Sequence, residues 1–306
     1  MSLTKRFRFI QSMRDFFNTQ GFLETPTPPA VENPGMETHI HPFSLYSENE
    51  KRKKPLYLHT SPEFALKKLL SMENEEFDRI YSLGYVFRDE PKSPIHRNQF
   101  LMLEWYRKNQ KIEALMQDCE NLVESLLSKK QVFESISVEE AFLKFAGIQI
   151  FDFLNEDDLY QKIKADYKDV PLQQKLSWED LYFLLFLNVI EPKLSDIPYL
   201  FLTDFPASLS ALSKINPKDP RTCKRFELYI NGVEIANAFE ELTDVKELSL
   251  RFKRQEAEKE KLYGYKLHWP NQFMESMARL PESSGIALGV ERMYGKIEGA
   301  KPIFLC

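Results

Sequence analysis

Two glutamates flank a tight turn in the stretch "FELYINGVEIANAFEELTD", residues 226–244. Asn231-Gly232 is a strong two-residue hairpin signal. With that turn, Glu227 and Glu234 fall on one face of the hairpin as diagonal neighbours. Phe226, Leu228, Ile230, Val233 and Ile235 fall on the other, which the pattern assigns to the core. Two acids on one face repel each other unless a cation lies between them. Hard carboxylate oxygens suit Mg²⁺, above all one already carrying phosphates. A solvated polar face is the alternative that the hairpin alone leaves open. Strict alternation also turns Asn237 inward, so the strand is expected to end or bulge before it.

A second constellation lies in "GYVFRDEPKSPIHRNQFLMLEWY", residues 84–106. Two strands separated by a polar loop are predicted here. Arg88 and Glu90, two apart, would share a side if the first strand continues through them. Phe100, Met102, Glu104 and Tyr106 form one row of the second. An arginine and an aromatic ring can hold a phosphate and stack a base. Glu104 and Tyr106 add an anionic, hydrogen-bonding wall suited to an ammonium group. An antiparallel pair with one polar face accounts for the same pattern.

The third is "GIALGVERM", residues 285–293. Gly285, Ala287 and Gly289 alternate, so one strand face carries almost no side chains. A flat ligand can lie on such a face, with Arg292 at the start of the next helix offering a planar fork for phosphate. Close helix–strand packing explains the small residues equally well.

The elements that must position these residues are legible in outline. Phe9, Ile10, Met13, Phe16 and Phe17 follow helical spacing, and the helix stops near Gly21. The prolines of "TPTPPAVENPG" enforce an extended path. "LYLHTS" (56–61) reads as a short strand leading to a helix over 62–72. "IEALMQDCENLVESLLSKK" reads as an amphipathic helix, and a long charged helix is predicted over 243–262. Residues 134–200 look mainly helical and carry no chemical motif. Hairpin-linked strands with helices outside them indicate an α+β fold built on an antiparallel sheet.

The chain has 306 residues, 43% of them hydrophobic, and a formal net charge of −5. That balance gives no general attraction to nucleic acid. Three widely spaced cysteines argue against a disulfide framework and fit a reducing compartment, the cytoplasm. No apolar run reaches the ~18–20 residues of a membrane span. There is neither a GxxxxGK[ST] nor a GxGxxG motif, which removes P-loop and dinucleotide sites. His39 and His41 are the only close histidine pair and have no cysteine beside them, so a surface or packing role suits them better than zinc.

Taken together and in order, these stretches resemble the catalytic domain of class II aminoacyl-tRNA synthetases. "GFLETPTPP" (21–29) is similar to the family's first motif, "FRDE…HRNQF" (87–100) to the second, and "GIALGVERM" to the third. "TSPEFALKKLL" (60–70), "MLEWY" (102–106) and the hairpin stretch resemble the lysyl-tRNA synthetase branch. Within that branch, "LTDFPASLSALSKI" (202–215) and "MLEWYR" look like the paralogous ligases that attach (R)-β-lysine to elongation factor P. The first motif begins at Gly21, which leaves no room before it for an anticodon-binding domain. The expectation is one catalytic domain over 1–306, with a mainly helical connective region at about 130–200.

The resemblance implies roles residue by residue. Arg88 contacts the ATP α-phosphate and the substrate carboxylate. Glu90 and His96 contact ATP, Phe100 stacks adenine, and Arg292 lies opposite it near the γ-phosphate. Glu227 and Glu234 hold Mg²⁺, with Glu227 also counted among the ATP-binding residues. Glu63 lies near the substrate amino group, and Glu104, Tyr106, Asn237 and Glu241 surround the distal ammonium. Ala287 replaces a glycine usual in the synthetases, and its methyl group reshapes the floor toward a β- over an α-amino acid. The implied co-substrate is ATP, the metal Mg²⁺, the amino acid β-lysine or lysine, and the acceptor elongation factor P. A homodimer through the first motif around Pro29 is implied too. A minimal lysyl-tRNA synthetase is the first alternative, although the charge balance makes tRNA a poorer partner. A catalytically silent, synthetase-like binding protein is the second. The sequence departs from the family at Glu291, where aspartate is usual, and in the loop "PKSPIHRNQF", which lacks a basic residue just before the histidine and has Gln99 for glutamate.

Overall fold

The protein is described by a computed structural model covering residues 3–46, 48, 55–91 and 97–299. It comprises two compact units, one formed by residues 1–130 and 238–306, the other by 131–237.

In the first unit, helix α1 (Leu3–Thr19) buries Phe9, Ile10, Met13, Phe16 and Phe17, the five residues its spacing predicts, and also Arg6. Gly21, at φ +74°, turns the chain out of the helix, where a residue with a Cβ is strained. Strand β1 (Leu23–Glu24) follows and pairs in parallel with β5 (Arg79–Phe87). Strands β2 (Ala30–Val31), β3 (Ser44–Leu45) and β4 (Leu56–Leu58) make a small sheet in the order β2-β4-β3. Helix α2 (Glu63–Leu70) comes next. Strand β5 pairs antiparallel with β6 (Gln99–Lys108). Both faces of β6 are covered from Leu101 to Tyr106. On one face, Trp105 meets Phe17 of α1 at 5.0 Å between rings and donates its indole N–H to Asp118 of α3 (Ile112–Leu127). Burying each such aromatic or aliphatic side chain stabilises the fold by roughly 1.5–3 kcal/mol. The other face carries Met102, Glu104 and Tyr106.

In the second unit, β7 (Glu134–Ser137) runs into α4 (Val138–Ala146), which begins with a Ser137–Glu140 capping box and ends at Gly147. Helices α5 (Glu156–Asp166), α6 (Trp178–Leu185) and α7 (Glu191–Leu194) precede β8 (Tyr199–Thr203), which pairs with β7 in parallel and with β9 (Arg225–Ile230) antiparallel. The region without chemical motifs supplies this unit's core, including Phe142, Leu159, Tyr182, Phe186 and Ile190. After the two-residue turn comes β10 (Val233–Glu240). Asn231 (φ +46°) and Gly232 (φ +71°) both take the left-handed conformation that this hairpin turn requires. At Gly232 a Cβ would come within 2.8 Å of the Ser195 backbone, so that position is closed to other residues on two counts.

The chain leaves β10 for the first unit, which is completed by α8 (Val245–Tyr263), α9 (Asn271–Met277), β11 (Ser283–Gly289) and α10 (Val290–Ile297). β11 pairs antiparallel with β6. Each unit is thus α+β, with mainly antiparallel pairing and helices outside.

Candidate active site

The row on β6 is where the first unit's chemistry gathers. Register sets Glu104 opposite Ser82 of β5 and Ala287 of β11, and Tyr106 opposite Gly285. Directly opposed residues share a face, so the small residues of β11 form the floor beside Glu104 and Tyr106. At Gly285 the reason is steric: a Cβ there would lie 2.1 Å from the Tyr106 ring. At Gly289 a Cβ would meet the aliphatic part of Arg292 at 3.7 Å, an ordinary contact. Packing of Tyr106 thus accounts for the small residue at Gly285. Gly285→Ala should push Tyr106 out of place, lowering stability by about 1–3 kcal/mol and raising the KM of the amino-acid substrate more than that of ATP. Thermal melts and steady-state kinetics check both.

Glu104 is 1% exposed. One oxygen accepts the Tyr106 hydroxyl at 2.9 Å, and the other has no hydrogen-bond partner. A buried carboxylate oxygen left in that state is costly unless a donor arrives. Burial first, and the Glu63 charge second, push the Glu104 carboxyl well above the usual range. Nearby, α2 presents Glu63 and Lys67 one turn apart, on the same helix face. The Lys67 ammonium lies 2.5 Å from Glu63 and 2.5 Å from Glu241, and Lys67 and Glu241 are each 1% exposed. Burial alone would lower the Lys67 ammonium, but Glu241 and Glu63 outweigh it and hold it above the ordinary lysine value. Glu63, Glu104 and Glu241 thus come together around one resident cation. Three carboxylates against one ammonium leave the pocket acidic, and one Glu104 oxygen has no donor.

Arg88 and Glu90 lie past the end of β5 at Phe87, so they do not share a strand face as alternation suggested. A loop fixes them instead. The Arg88 amide donates to the Asn98 carbonyl at 2.8 Å, and the Asn98 side-chain amide donates to the carbonyls of Arg88 and Glu90. Asn98 therefore closes the mouth of the loop. The Arg88 guanidinium stands 5.3 Å from the Phe100 ring centroid and donates to the Thr60 carbonyl at 3.3 Å. His96 lies outside the described residues.

The family departure at Glu291 has a structural account. Glu291 accepts Arg6 of α1 at 2.8 Å and the Leu101 amide of β6 at 3.0 and 3.2 Å. Burial holds its carboxyl above the usual range, against its own backbone N–H, Arg6 and Leu101. The residue ties helix α10, and so Arg292, to the first helix and to the strand that carries Phe100.

Glu227, Glu234 and Asn237 belong to the second unit. Both faces of β9 are covered, so Glu227 is buried rather than solvated. Its oxygens accept Arg225 at 2.6 Å and the Tyr229 hydroxyl at 2.8 Å. Burial, and then the Glu234 charge, raise the Glu227 carboxyl to about 7, against Arg225 and Tyr229. Strand β10 does not end before Asn237: it runs to Glu240, and the Asn237 side-chain oxygen accepts Arg225 at 3.1 Å, on the side of β9 where Arg225 meets Glu227 rather than turned to the core. Arg225 overrides the pattern because a buried guanidinium must be satisfied. Among the described residues no group of three or more His, Cys, Asp or Glu is placed to hold a metal by itself. Two repelling hard-oxygen acids do fit a divalent cation that brings further oxygens from phosphates. Because a proton competes at Glu227, Mg²⁺ binding should weaken about tenfold per unit as pH falls below 7 and level off above it. Titrating Mg²⁺ in the presence of ATP at pH 6, 7 and 8 checks this.

The family model for class II tRNA synthetases (D, K and N) matches residues 1–304. The chain belongs to the class II tRNA synthetase family. Similar relatives named elongation factor P–(R)-β-lysine ligase occur in Proteus mirabilis, at 33% identity over 95% of this chain and 89% of the relative. Another, in Avibacterium paragallinarum, is 34% identical over the same shares. A relative named as a homolog of that ligase, in Aquifex aeolicus, is 31% identical over 96% and 94%. The α+β fold agrees with the expectation from the hairpins. No described helix is long and apolar enough to cross a membrane.

Sequence reasoning missed Arg6, Lys67 and Asn98. Only Lys67 carried a local signal, four residues after Glu63 on a helix. Arg6 depends on Glu291, 285 positions away, and Asn98 on how the loop after β5 closes onto Arg88 and Glu90.

Proposed function

We propose that this synthetase-like chain is an ATP-dependent ligase that activates (R)-β-lysine, or lysine, and transfers it to a lysine side chain of elongation factor P. The observation that carries this reading is the buried acidic pocket, where Glu104 keeps an oxygen without a donor beside Tyr106, Glu63 and Glu241. A distal ammonium supplies the missing donor. The names of the similar relatives support the same acceptor.

In the first step a carboxylate oxygen of the amino acid attacks the α-phosphorus of ATP, and the bond to the β-phosphate oxygen breaks, releasing pyrophosphate. The carboxylate is ionised at neutral pH, so no general base is needed. Arg88 orients the carboxylate and stabilises charge at the α-phosphate, Phe100 stacks adenine, and Arg292 faces it near the γ-phosphate. Glu90 and His96 complete the contacts to ATP. Glu227 and Glu234 would hold a divalent cation, which neutralises phosphate charge when bound. In the second step the acceptor lysine nitrogen attacks the adenylate carbonyl carbon, the bond to AMP breaks, and the nitrogen loses a proton as the amide forms.

Asn237 and Ala287 are assigned to the amino-acid side, with Ala287 opposite Glu104 in register. A methyl group at that floor is worth about 1–3 kcal/mol of discrimination. A homodimer through the segment around Pro29 and a reducing cytoplasm complete the proposal. Cys119 and Cys223 are buried cysteines outside any disulfide, which suits such a compartment. Sedimentation in solution tests the dimer.

The deciding experiment pairs acceptors. The protein, ATP, Mg²⁺ and labelled (R)-β-lysine are incubated with elongation factor P or with lysine tRNA. Label on the factor supports the reading. Label on tRNA alone replaces it with a minimal lysyl-tRNA synthetase, and no ATP–pyrophosphate exchange with either amino acid leaves a silent binding protein.

A further inference from the structure

The two-step reaction gives Lys67 no task, yet its ammonium stands inside the acidic pocket. Helix α2 turns one face inward, with Leu66 fully buried and Lys67 and Leu70 each 1% exposed. A lysine on such a face is costly, because its charge leaves water and apolar neighbours cannot replace the lost hydrogen bonds. A methionine of similar volume would pack there without that cost. The charge therefore has to be held by acids. Nζ of Lys67 lies 2.5 Å from Oε1 of Glu63 and 2.5 Å from Oε2 of Glu241.

The two acids come from different elements. Glu63 is the first residue of α2, one turn before Lys67. Glu241 follows β10, and its backbone amide donates to the Ser283 carbonyl at the start of β11. One nitrogen thus ties the helix to the strand that floors the pocket. Without it, two carboxylates drawn within reach of a single nitrogen would repel each other. An ammonium has three N–H donors and accepts nothing. Here it takes one oxygen of each acid, which fixes where the second oxygen of each stands. Glu104 on β6 keeps an oxygen without a partner, so Lys67 does not satisfy all three acids. Three carboxylates and one ammonium leave a place for two more positive charges, and a diamino acid brings two.

We propose that Lys67 is a positioning residue, whose buried ammonium clamps Glu63 to Glu241 so that both acids are set to receive the ammonium groups of the substrate. The inference rests on the reading that the substrate is a diamino acid. Lys67 acts through its two carboxylates and not by touching the substrate. With Lys67 gone, the acids move apart or one takes up a proton. Either change weakens the hold on the substrate's ammonium groups and leaves the ATP side as it was. The change also opens a seat that an ammonium from another source fills.

The test removes the ammonium and then returns it. Lys67→Ala leaves space for propylammonium, whose three carbons and nitrogen match the lost atoms from Cγ to Nζ. ATP–pyrophosphate exchange with (R)-β-lysine is measured on wild type and variant, with and without propylammonium, and with 1-propanol as the uncharged control. In Lys67→Ala, kcat/KM for the amino acid should fall about 10- to 100-fold, and propylammonium should restore most of it. 1-Propanol should restore none, and the KM of ATP should stay within about twofold. If Lys67→Ala does not fold, Lys67→Met, which keeps an apolar stem, carries the test. Its amino-acid KM should rise about 10- to 100-fold at an unchanged ATP KM. No loss, a parallel rise in the ATP KM, or a folded Lys67→Ala that propylammonium restores no better than 1-propanol would overturn the inference. Wild-type exchange followed by label on tRNA alone would remove the ligase reading and leave Lys67 standing. Label on elongation factor P with variant kinetics like those of the wild type would remove Lys67 alone. No exchange with any diamino acid by the wild type would overturn both.

Discussion

Replacing Glu241 by alanine should lower kcat/KM for the amino acid by about 10²–10³ while leaving the KM of ATP within a few-fold. Glu241 is 1% exposed, and its carboxylate lies 2.5 Å from the Lys67 ammonium. Its backbone amide donates to the Ser283 carbonyl at 2.9 Å, so the side chain is fixed at the start of β11. Two losses combine in the variant. The distal ammonium loses a desolvated charge partner, and Lys67 is left with Glu63 as its acid. Truncating one partner of a buried charge pair costs about 2–5 kcal/mol, much of it from the charge left behind. The second loss gives the experiment a control. Lys67→Met combined with Glu241→Ala removes both charges, so it should regain folding stability without regaining affinity for the amino acid. Exchange kinetics and thermal melts on the two variants separate these effects. An unchanged amino-acid KM in Glu241→Ala would remove Glu241 from the distal site.

Arg6→Met is expected to be the most destabilising single change away from the substrate pocket, at about 3–5 kcal/mol. Arg6 and Glu291 are 2% and 3% exposed and 2.8 Å apart. Removing Arg6 leaves Glu291 buried with the Leu101 amide and little else to offset its desolvation. The sign of the pH dependence follows from burial, which already raises the Glu291 carboxyl above its unfolded value. In the variant that rise grows. The remaining stability is then greatest below the unfolded carboxylate pKa and declines as pH climbs through the higher folded value. Wild type and variant should therefore diverge more at pH 8 than at pH 5. Chemical denaturation at the two pH values measures this. A constant difference would mean that Arg6 acts through packing alone. Because Glu291 precedes Arg292 in helix α10, the variant should also weaken ATP use at temperatures where it remains folded.

The aspartate usual in this family is one methylene shorter than Glu291, and the structure shows what the added length reaches. The Glu291 carboxylate touches both α1 and β6. It is a brace for the ATP-facing strand and helix, and the departure does not place it in contact chemistry.

Local periodicity determined much of this protein. The five apolar positions of the first helix, the Asn231-Gly232 turn, the β6 row from Phe100 to Tyr106 and the bare face of β11 all follow from spacing, because helices and strands repeat at fixed intervals. Residue chemistry within those elements was enough to raise phosphate, ammonium and metal sites as candidates, and the order of the motifs pointed to the synthetase family. Alternation failed where a buried charge had to be satisfied. Asn237 is held by Arg225 inside a continuous strand, and Glu227 is buried on a face that its acids suggested was wet. It failed again where a strand simply stopped, leaving Arg88 and Glu90 to be set by Asn98. Tertiary structure alone decided the Arg6–Glu291 brace and the Lys67–Glu241 pair. Each joins residues distant in sequence, and a side chain's type says what partner it needs but not which distant segment will supply it.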